Sequence, residues 1–158
     1  NAGFSNVDPG KLYLPVIQSL VYHHNNVNVE AQMASSSSLL HWVRAMLHVR
    51  AQHPVFGLGT FEMLECDNET LLTFVRELPP EEKTDGDQAR AVLCVSNLSS
   101  RPQAGTVTLP AKFAGARVRD VFGGSGFPKI GADGTVTLTL GSRDFYWLRL
   151  ETEEDNDG

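Results

Sequence analysis

The feature that most constrains this chain is one amphipathic helix, residues 37–53, standing between an irregular arm (residues 1–36) and a long region of strand and turn signals (residues 55–150). Leu39, Val43, Met46, Leu47 and Arg50 fall at i, i+4, i+7, i+8 and i+11. That spacing makes a mostly apolar stripe, which has to be buried against something. Ser35, Ser36 or Ser37 can cap the first turn, and Arg44, His48, Arg50 and His53 load the second half with positive charge. Pro54 then stops the helix. A helix in this setting reads as a joint between two domains.

The arm is rich in Asn, Gly, Pro and Ser, which predicts mostly loop, with residues 11–16 as a short extended piece ending at Pro15. It also carries Phe4, Leu12, Tyr13, Leu14, Ile17, Leu20 and Tyr22, a load that a solvated linker does not have. The arm therefore reads as a loop that packs on a surface this chain does not contain. His23 and His24 are adjacent, with no Cys, Asp or Glu at ligand spacing, so they read as polar loop residues rather than metal ligands. Asp8-Pro9-Gly10 is a turn.

Beyond Pro54, residues 59–65 and 70–77 read as two strands joined by residues 66–69, a hairpin. Phe61 and Met63 alternate with Thr60 and Glu62, which predicts that they face a core. Residues 79–88 form a charged surface loop. Residues 91–95, Ala-Val-Leu-Cys-Val, are a continuous apolar run and predict a central strand covered on both faces. Residues 97–105 turn the chain, and residues 106–109 and 117–122 are further strands. In residues 135–140, Val136, Leu138 and Leu140 point inward and the threonines outward. Residues 144–150 close the set. Phe145, Tyr146 and Trp147 are consecutive, so alternation splits them between faces and favours core packing over a sugar platform. Seven or so short antiparallel strands mean a mainly β fold, a Greek-key sandwich. The Gly123–Gly126 cluster lacks the Lys-Ser/Thr pair of a phosphate loop and reads as a turn. Residues 151–158 are an acidic tail with little to bury, expected to be disordered.

The 158 residues carry a net charge of −6, without the basic stripe that nucleic-acid binding requires. No apolar run reaches the ~18 residues of a membrane span. Cys66 and Cys94 read as buried free thiols in a reducing cytoplasm, with a single disulfide left open and too few cysteines for zinc. The sequons at Asn68 and Asn97 are discounted because no secretory signal precedes them. The chain opens at Asn1 without a Met, which reads as a piece or a processed product.

Several stretches run in a familiar order. They are Asn1-Ala2-Gly3-Phe4-Ser5, Tyr13-Leu14-Pro15-Val16, Asn28-Val29-Glu30-Ala31-Gln32, and a helix ending Arg50-Ala51-Gln52-His53-Pro54 before Phe56-Gly57-Leu58-Gly59-Thr60. Over residues 1–150 this resembles the end of the catalytic barrel and the following domain in glycoside hydrolase family 13, the α-amylase superfamily. Oligo-1,6-glucosidases share part of the pattern, while the wording at residues 12–16 and 28–32 favours the branch that interconverts maltose and trehalose. Residues 21–26 match no member's spelling.

The resemblance implies that residues 1–54 are the loop after strand eight and the last helix of a (β/α)₈ barrel. Residues 55–150 would be the C-terminal β-sandwich domain. Loops after barrel strands build the active-site face, so Asn1 and Phe4 would stand at the rim of the sugar pocket. The family's nucleophile, acid/base and third aspartate would lie upstream of Asn1, leaving no catalytic residue, metal site or cofactor in this chain. The chain alone would then be inactive, with the upstream barrel segment as its partner and a homo-oligomer left open. The parent reaction would be a retaining intramolecular glucosyl transfer between maltose and trehalose, with water excluded while the released glucose turns. Three other readings compete: the end of an oligo-α-glucosidase, a non-catalytic carbohydrate-binding sandwich, and a purely structural domain. The sugar-binding reading needs aromatics exposed on one face, whereas Trp42, Trp147 and most Phe residues sit at core-like positions in the sequence pattern.

Overall fold

Strand β4 (Ala91–Asn97) is the apolar run anticipated above, and it lies inside the larger of two antiparallel sheets. The computed structural model describes residues 1–85 and 88–152 of the chain. It divides into two units, Asn1–His48 and Val49–Gly158, each taken here by itself.

In the first unit, Asp8 forms its turn by accepting a hydrogen bond from the Gly10 amide at 2.9 Å, ahead of a 3₁₀ turn at Pro9–Lys11. The arm is mostly loop as expected, interrupted by helix α1 (Val29–Ala34), which its sequence did not indicate. Asn28 supplies its N-cap, its side-chain oxygen accepting from the Ala31 amide at 2.8 Å. Six residues are too few to display a period, so the cap was the only signal. Helix α2 (Leu39–Gln52) is the expected amphipathic helix, but Ser38 caps it rather than Ser35, Ser36 or Ser37. The Ser38 hydroxyl donates to the Gln32 carbonyl at 2.6 Å and accepts from the His41 amide at 3.4 Å. The Gln32 side chain accepts from the Leu40 amide at 3.2 Å, so α1 and α2 share their caps. Neither helix buries a residue, and Leu39, Val43 and Leu47 of the stripe are exposed. Trp42 is 51% exposed, against the expectation of a core position.

In the second unit Pro54 both follows α2 and opens α3 (Val55–Leu58), whose Val55 and Phe56 are buried. Nine strands follow among the described residues: β1 (Glu62–Met63), β2 (Glu65–Cys66), β3 (Leu71–Glu77), β4, β5 (Gln103–Thr108), β6 (Arg117–Asp120), β7 (Gly126–Phe127), β8 (Thr135–Leu140) and β9 (Phe145–Glu151). One sheet runs β1-β3-β4-β9-β6-β7 and the other β2-β5-β8, with every pair antiparallel. The chain leaves β4 for the second sheet, returns through β6 and β7, crosses again at β8, and comes back as β9 beside β4. The mainly β sandwich expected from the sequence is therefore the observed architecture.

Its inner core joins Val75, Leu93, Val95, Val107, Val136, Leu138, Leu140, Leu148 and Leu150 from both sheets. On the far side of the larger sheet a second cluster packs Val55, Phe56 and Leu78 on Val92 and Cys94. Alternate residues of β4 thus enter different cores, as a strand buried on both faces must.

The first hairpin forms only in part. Residues 59–66 split, β1 pairing with β3 while β2 crosses to pair with β5 in the other sheet. The crossing turns Leu64 and Cys66 to the inner core and leaves Phe61 and Met63 outside, 59% and 56% exposed. Thr73 holds the crossing by donating its hydroxyl proton to the Leu64 carbonyl at 3.0 Å. Strand β5 also begins earlier than its sequence indicated, because Gln103 and Ala104 pair with Leu140 and Thr139. A Cβ at Gly105 would lie 2.7 Å from Leu71 Cδ1 and 2.9 Å from Cys66 Sγ, so any larger residue there would displace those side chains. The final strand runs to Glu151, one residue into the stretch expected to be tail; residues 153–158 of that tail, and 86–87 of the 79–88 loop, lie outside the described residues.

Asn68 and Asn97 are structural. Asn68 Nδ2 donates to Gln103 Oε1 at 2.9 Å and to the Ala104 carbonyl at 2.8 Å, while its Oδ1 accepts from Thr70. Asn97 is buried and donates to the Arg101 and Gly141 carbonyls at 2.8 and 2.7 Å. Leu93 fills the centre of the inner core with no exposed surface. Leu93→Ala is expected to cost about 2–5 kcal/mol in urea denaturation, whereas Thr137→Ala on the exposed face is expected to stay within about 0.5 kcal/mol.

Candidate functional site

Asn1 and Phe4 sit at the two ends of one tight turn. The Phe4 amide donates to the Asn1 carbonyl at 3.1 Å, and the two central residues both have positive φ, 55° at Ala2 and 81° at Gly3. Glycine accepts that conformation freely, whereas Ala2 adopts it at a steric cost. Asn1 turns its side chain inward along the arm, donating to Ser5 Oγ at 3.0 Å and to the Val7 carbonyl at 2.5 Å. Phe4 points away, 94% exposed. The turn therefore uses Asn1 as a fastener and presents Phe4 as its outward group. Tyr13, Leu14, Ile17, Leu20 and Tyr22 are exposed in the same arm. His23 accepts from the Asn25 amide through Nδ1 at 3.2 Å, the work of a turn residue, and its ring centroid lies 4.1 Å from that of His24. Among the described residues no group of three or more His, Cys, Asp or Glu is arranged to hold a metal ion.

The second unit offers two surfaces. The outward side of the larger sheet carries an aromatic row: Phe61 lies 4.8 Å from Phe74, and Trp147 lies 4.6 Å from Phe56 and 5.3 Å from Phe122. Tyr146 points the other way, packing on Phe127 at 4.9 Å by the inner core, so alternation divides the consecutive aromatics as expected. Phe61 and Phe122 are nonetheless exposed, while Phe56, Phe74, Phe113 and Phe127 pack in the two cores.

Toward the end of β9 the same side becomes charged. A cleft of about 750 Å³ is lined by Arg117, Arg119, Arg149, Asp120, Glu151 and His53, among others. Two of its carboxylates, Glu151 and Asp120, are engaged by neighbouring groups. Glu151 is bridged by Arg149 at 3.3 Å and Arg119 at 3.6 Å, and Asp120 accepts from the Gly123 amide at 3.0 Å.

The two thiols are unpaired and belong to different cores, Cys66 against the inner one and Cys94 in the outer cluster, which closes the disulfide alternative. Burial pushes the Cys94 thiol up from 9.0 to about 12, against a smaller opposing pull from the Arg76 guanidinium. Tyr146 is likewise raised by burial and by Asp144 and Asp120.

Residues 61–147, more than half of the chain, match the family described as "Maltogenic Amylase, C-terminal domain", and the chain belongs to that family. Over its whole length it is 48% identical to trehalose synthase of Pimelobacter sp. (strain R48) and 44% identical to trehalose synthase/amylase TreS of Mycolicibacterium smegmatis, covering 26% of each. The chain thus spans about a quarter of the length of the curated relatives it matches. A maltogenic α-amylase from Thermotoga neapolitana has the same fold, with a TM-score of 0.57 and 16% identity over 75% of this chain and 26% of that one. The resemblance to the α-amylase superfamily read from the sequence is borne out by these matches.

In the folded protein at pH 8, iodoacetamide is expected to leave Cys94 unmodified, and unfolding in urea is expected to release it, as peptide mass spectrometry would read. The raised thiol makes no difference to stability below pH 9, and stability is expected to fall as the pH climbs from there toward 12, because only the unfolded chain then gives up the proton.

Proposed function

We propose that this chain is the C-terminal part of a trehalose synthase, an enzyme interconverting maltose and trehalose by retaining intramolecular glucosyl transfer. The observation that carries the proposal is identity of 48% and 44% to named trehalose synthases along all 158 residues, arm and helix included. In this reading residues 1–54 complete a (β/α)₈ barrel, with the arm as the loop after strand eight and α2 as the last barrel helix. The exposed stripe of α2 and the exposed apolar residues of the arm support it, since both require a cover. The upstream barrel segment is that cover. It also carries the two carboxylates, so the 158 residues alone are inactive. Two unpaired cysteines fit a reducing cytoplasm, and no described helix is long and apolar enough to cross a membrane.

The reaction proceeds by cleaving maltose to a covalent glucosyl-enzyme. The freed glucose then reorients without leaving, and its anomeric hydroxyl attacks the intermediate to form trehalose; attack by water gives glucose instead. Retaining the sugar and excluding water are tasks for pocket walls. Phe4 suits such a wall, being an apolar ring held outward by a turn that Asn1 fastens. A second reading, a hydrolase acting on α-glucosides, is favoured by the amylase half of the Mycolicibacterium relative's name and by the family description.

Product analysis separates the two. The full-length polypeptide incubated with maltose is expected to yield trehalose as the main product, and glucose alone would establish the hydrolase. Phe4→Ala in that polypeptide is expected to raise the glucose-to-trehalose ratio severalfold with an unaltered thermal midpoint, whereas an unchanged ratio would remove Phe4 from the pocket rim.

A further inference from the structure

One histidine of the second unit is built into the backbone network as an acceptor. Ala89 has no exposed surface, and its amide donates to His53 Nδ1 at 3.1 Å. A ring nitrogen takes that bond only when it has no proton of its own, so the imidazole is neutral with its hydrogen on Nε2. His53 is fixed from behind as well. Its carbonyl accepts from the Phe56 amide at 3.1 Å at the start of α3, and its ring meets the Phe56 ring edge-on at 6.4 Å. The bond therefore ties the turn between α2 and α3 to the lead-in of β4, 36 residues away, beside the outer cluster of Val55, Phe56, Ala89 and Val92. The ring is only half-buried and lines the charged cleft, so protons from solvent reach it.

We propose that His53 is a pH-sensitive fastener: a proton on Nδ1 replaces the acceptor with a donor and releases the Ala89 amide from the α2–α3 turn. The groups around the ring set where this happens. Arg117, Arg119 and Asp120 face the cleft from β6, Arg149 and Glu151 from β9, and Asp85 from the loop before Ala89, while Arg50 stands in the last turn of α2. The guanidiniums disfavour a further cation, whereas the carboxylates and the C-terminal end of α2 favour one. Glu151 is already bridged by Arg149 and Arg119. What opposes the proton at Nδ1 in particular is the buried Ala89 N–H, which loses its partner without gaining water. Protonation and the hydrogen bond exclude one another, so the fastening holds above the ring's midpoint and is lost below it. Acid thereby loosens α3 on the outer side of β4, while the core between the sheets, which contains no histidine, stays packed.

The test follows amide hydrogen exchange in the full-length polypeptide from pH 7.5 to pH 5, corrected for the intrinsic rate at each pH, with fragmentation that resolves Ala89. Protection of Ala89 is expected to fall about tenfold or more, while that of Leu93 changes by less than about twofold. Exchange of the histidine C2 hydrogens, read by mass in the same samples, gives the protonation midpoint of His53 without any substitution. The two midpoints are expected to agree within about half a pH unit. Protection of Ala89 that ignores pH, that changes away from the His53 midpoint, or that falls equally at Leu93 would overturn the proposal. His53→Asn keeps a non-titrating oxygen near the position of Nδ1 and is expected to retain protection at pH 5, whereas His53→Phe is expected to lack it at both pH values. An undiminished pH effect in His53→Asn would assign the effect to the neighbouring carboxylates and would equally overturn the proposal. No readout here uses maltose, so this inference and the enzymatic reading can fail separately.

Discussion

Strand β4 serves two cores at once, and the sandwich unit depends on that double burial. Leu93 and Val95 enter the space between the sheets, while Val92 and Cys94 meet Val55 and Phe56 of α3 on the other side. Burying a side chain of this size contributes about 1.5–3 kcal/mol relative to leaving it exposed. Both flanking strands, β3 and β9, pair with β4 along almost its whole length. Their registers then decide which side chains reach either core. The rise of the Cys94 thiol to about 12 is a direct consequence of this arrangement.

The polar groups that finish the fold lie where strands end or change sheet. Asn68 reaches Gln103 and Ala104 across the sequence, Asn97 binds nearby Arg101 and distant Gly141, and Thr73 ties the β1–β2 crossing to β3. A buried amide is tolerated because its donors and acceptors are paired. Thr73 satisfies both backbone groups of Leu64 where the chain swaps sheets, through its hydroxyl and its own carbonyl. Asn68, although it stands in a sequon, is engaged in holding a turn.

The charged and aromatic groups that could be mistaken for machinery are occupied by one another. Glu151 is held by two arginines, and Trp147 is flanked by Phe56 and Phe122. What stands unoccupied is apolar: the α2 stripe, the arm from Phe4 to Tyr22, and the β1–β3 side of the larger sheet. Residues 61–147, which include the β1–β3 side, match the maltogenic amylase C-terminal family.

The β4 run, the alternation of β8 and the opposite fates of Tyr146 and Trp147 were legible because each is local. A strand repeats every two residues, and six residues suffice to display it. The amphipathic helix was legible for the same reason, as was the superfamily, from short ordered stretches of the arm. Helix α1, the cap at Ser38 and the exposure of Phe61 and Met63 were not. The first has only six residues, fewer than two helical turns, and the second depends on Gln32 reaching across from another helix. The third depends on the chain crossing between sheets at Leu64, where pairing of β2 with distant β5 outweighs continuation along β3. Local periodicity thus determined which segments become strands and helices. Pairing between distant segments decided which of their faces became interior, because a residue's burial is fixed by what lands on it rather than by its neighbours in sequence.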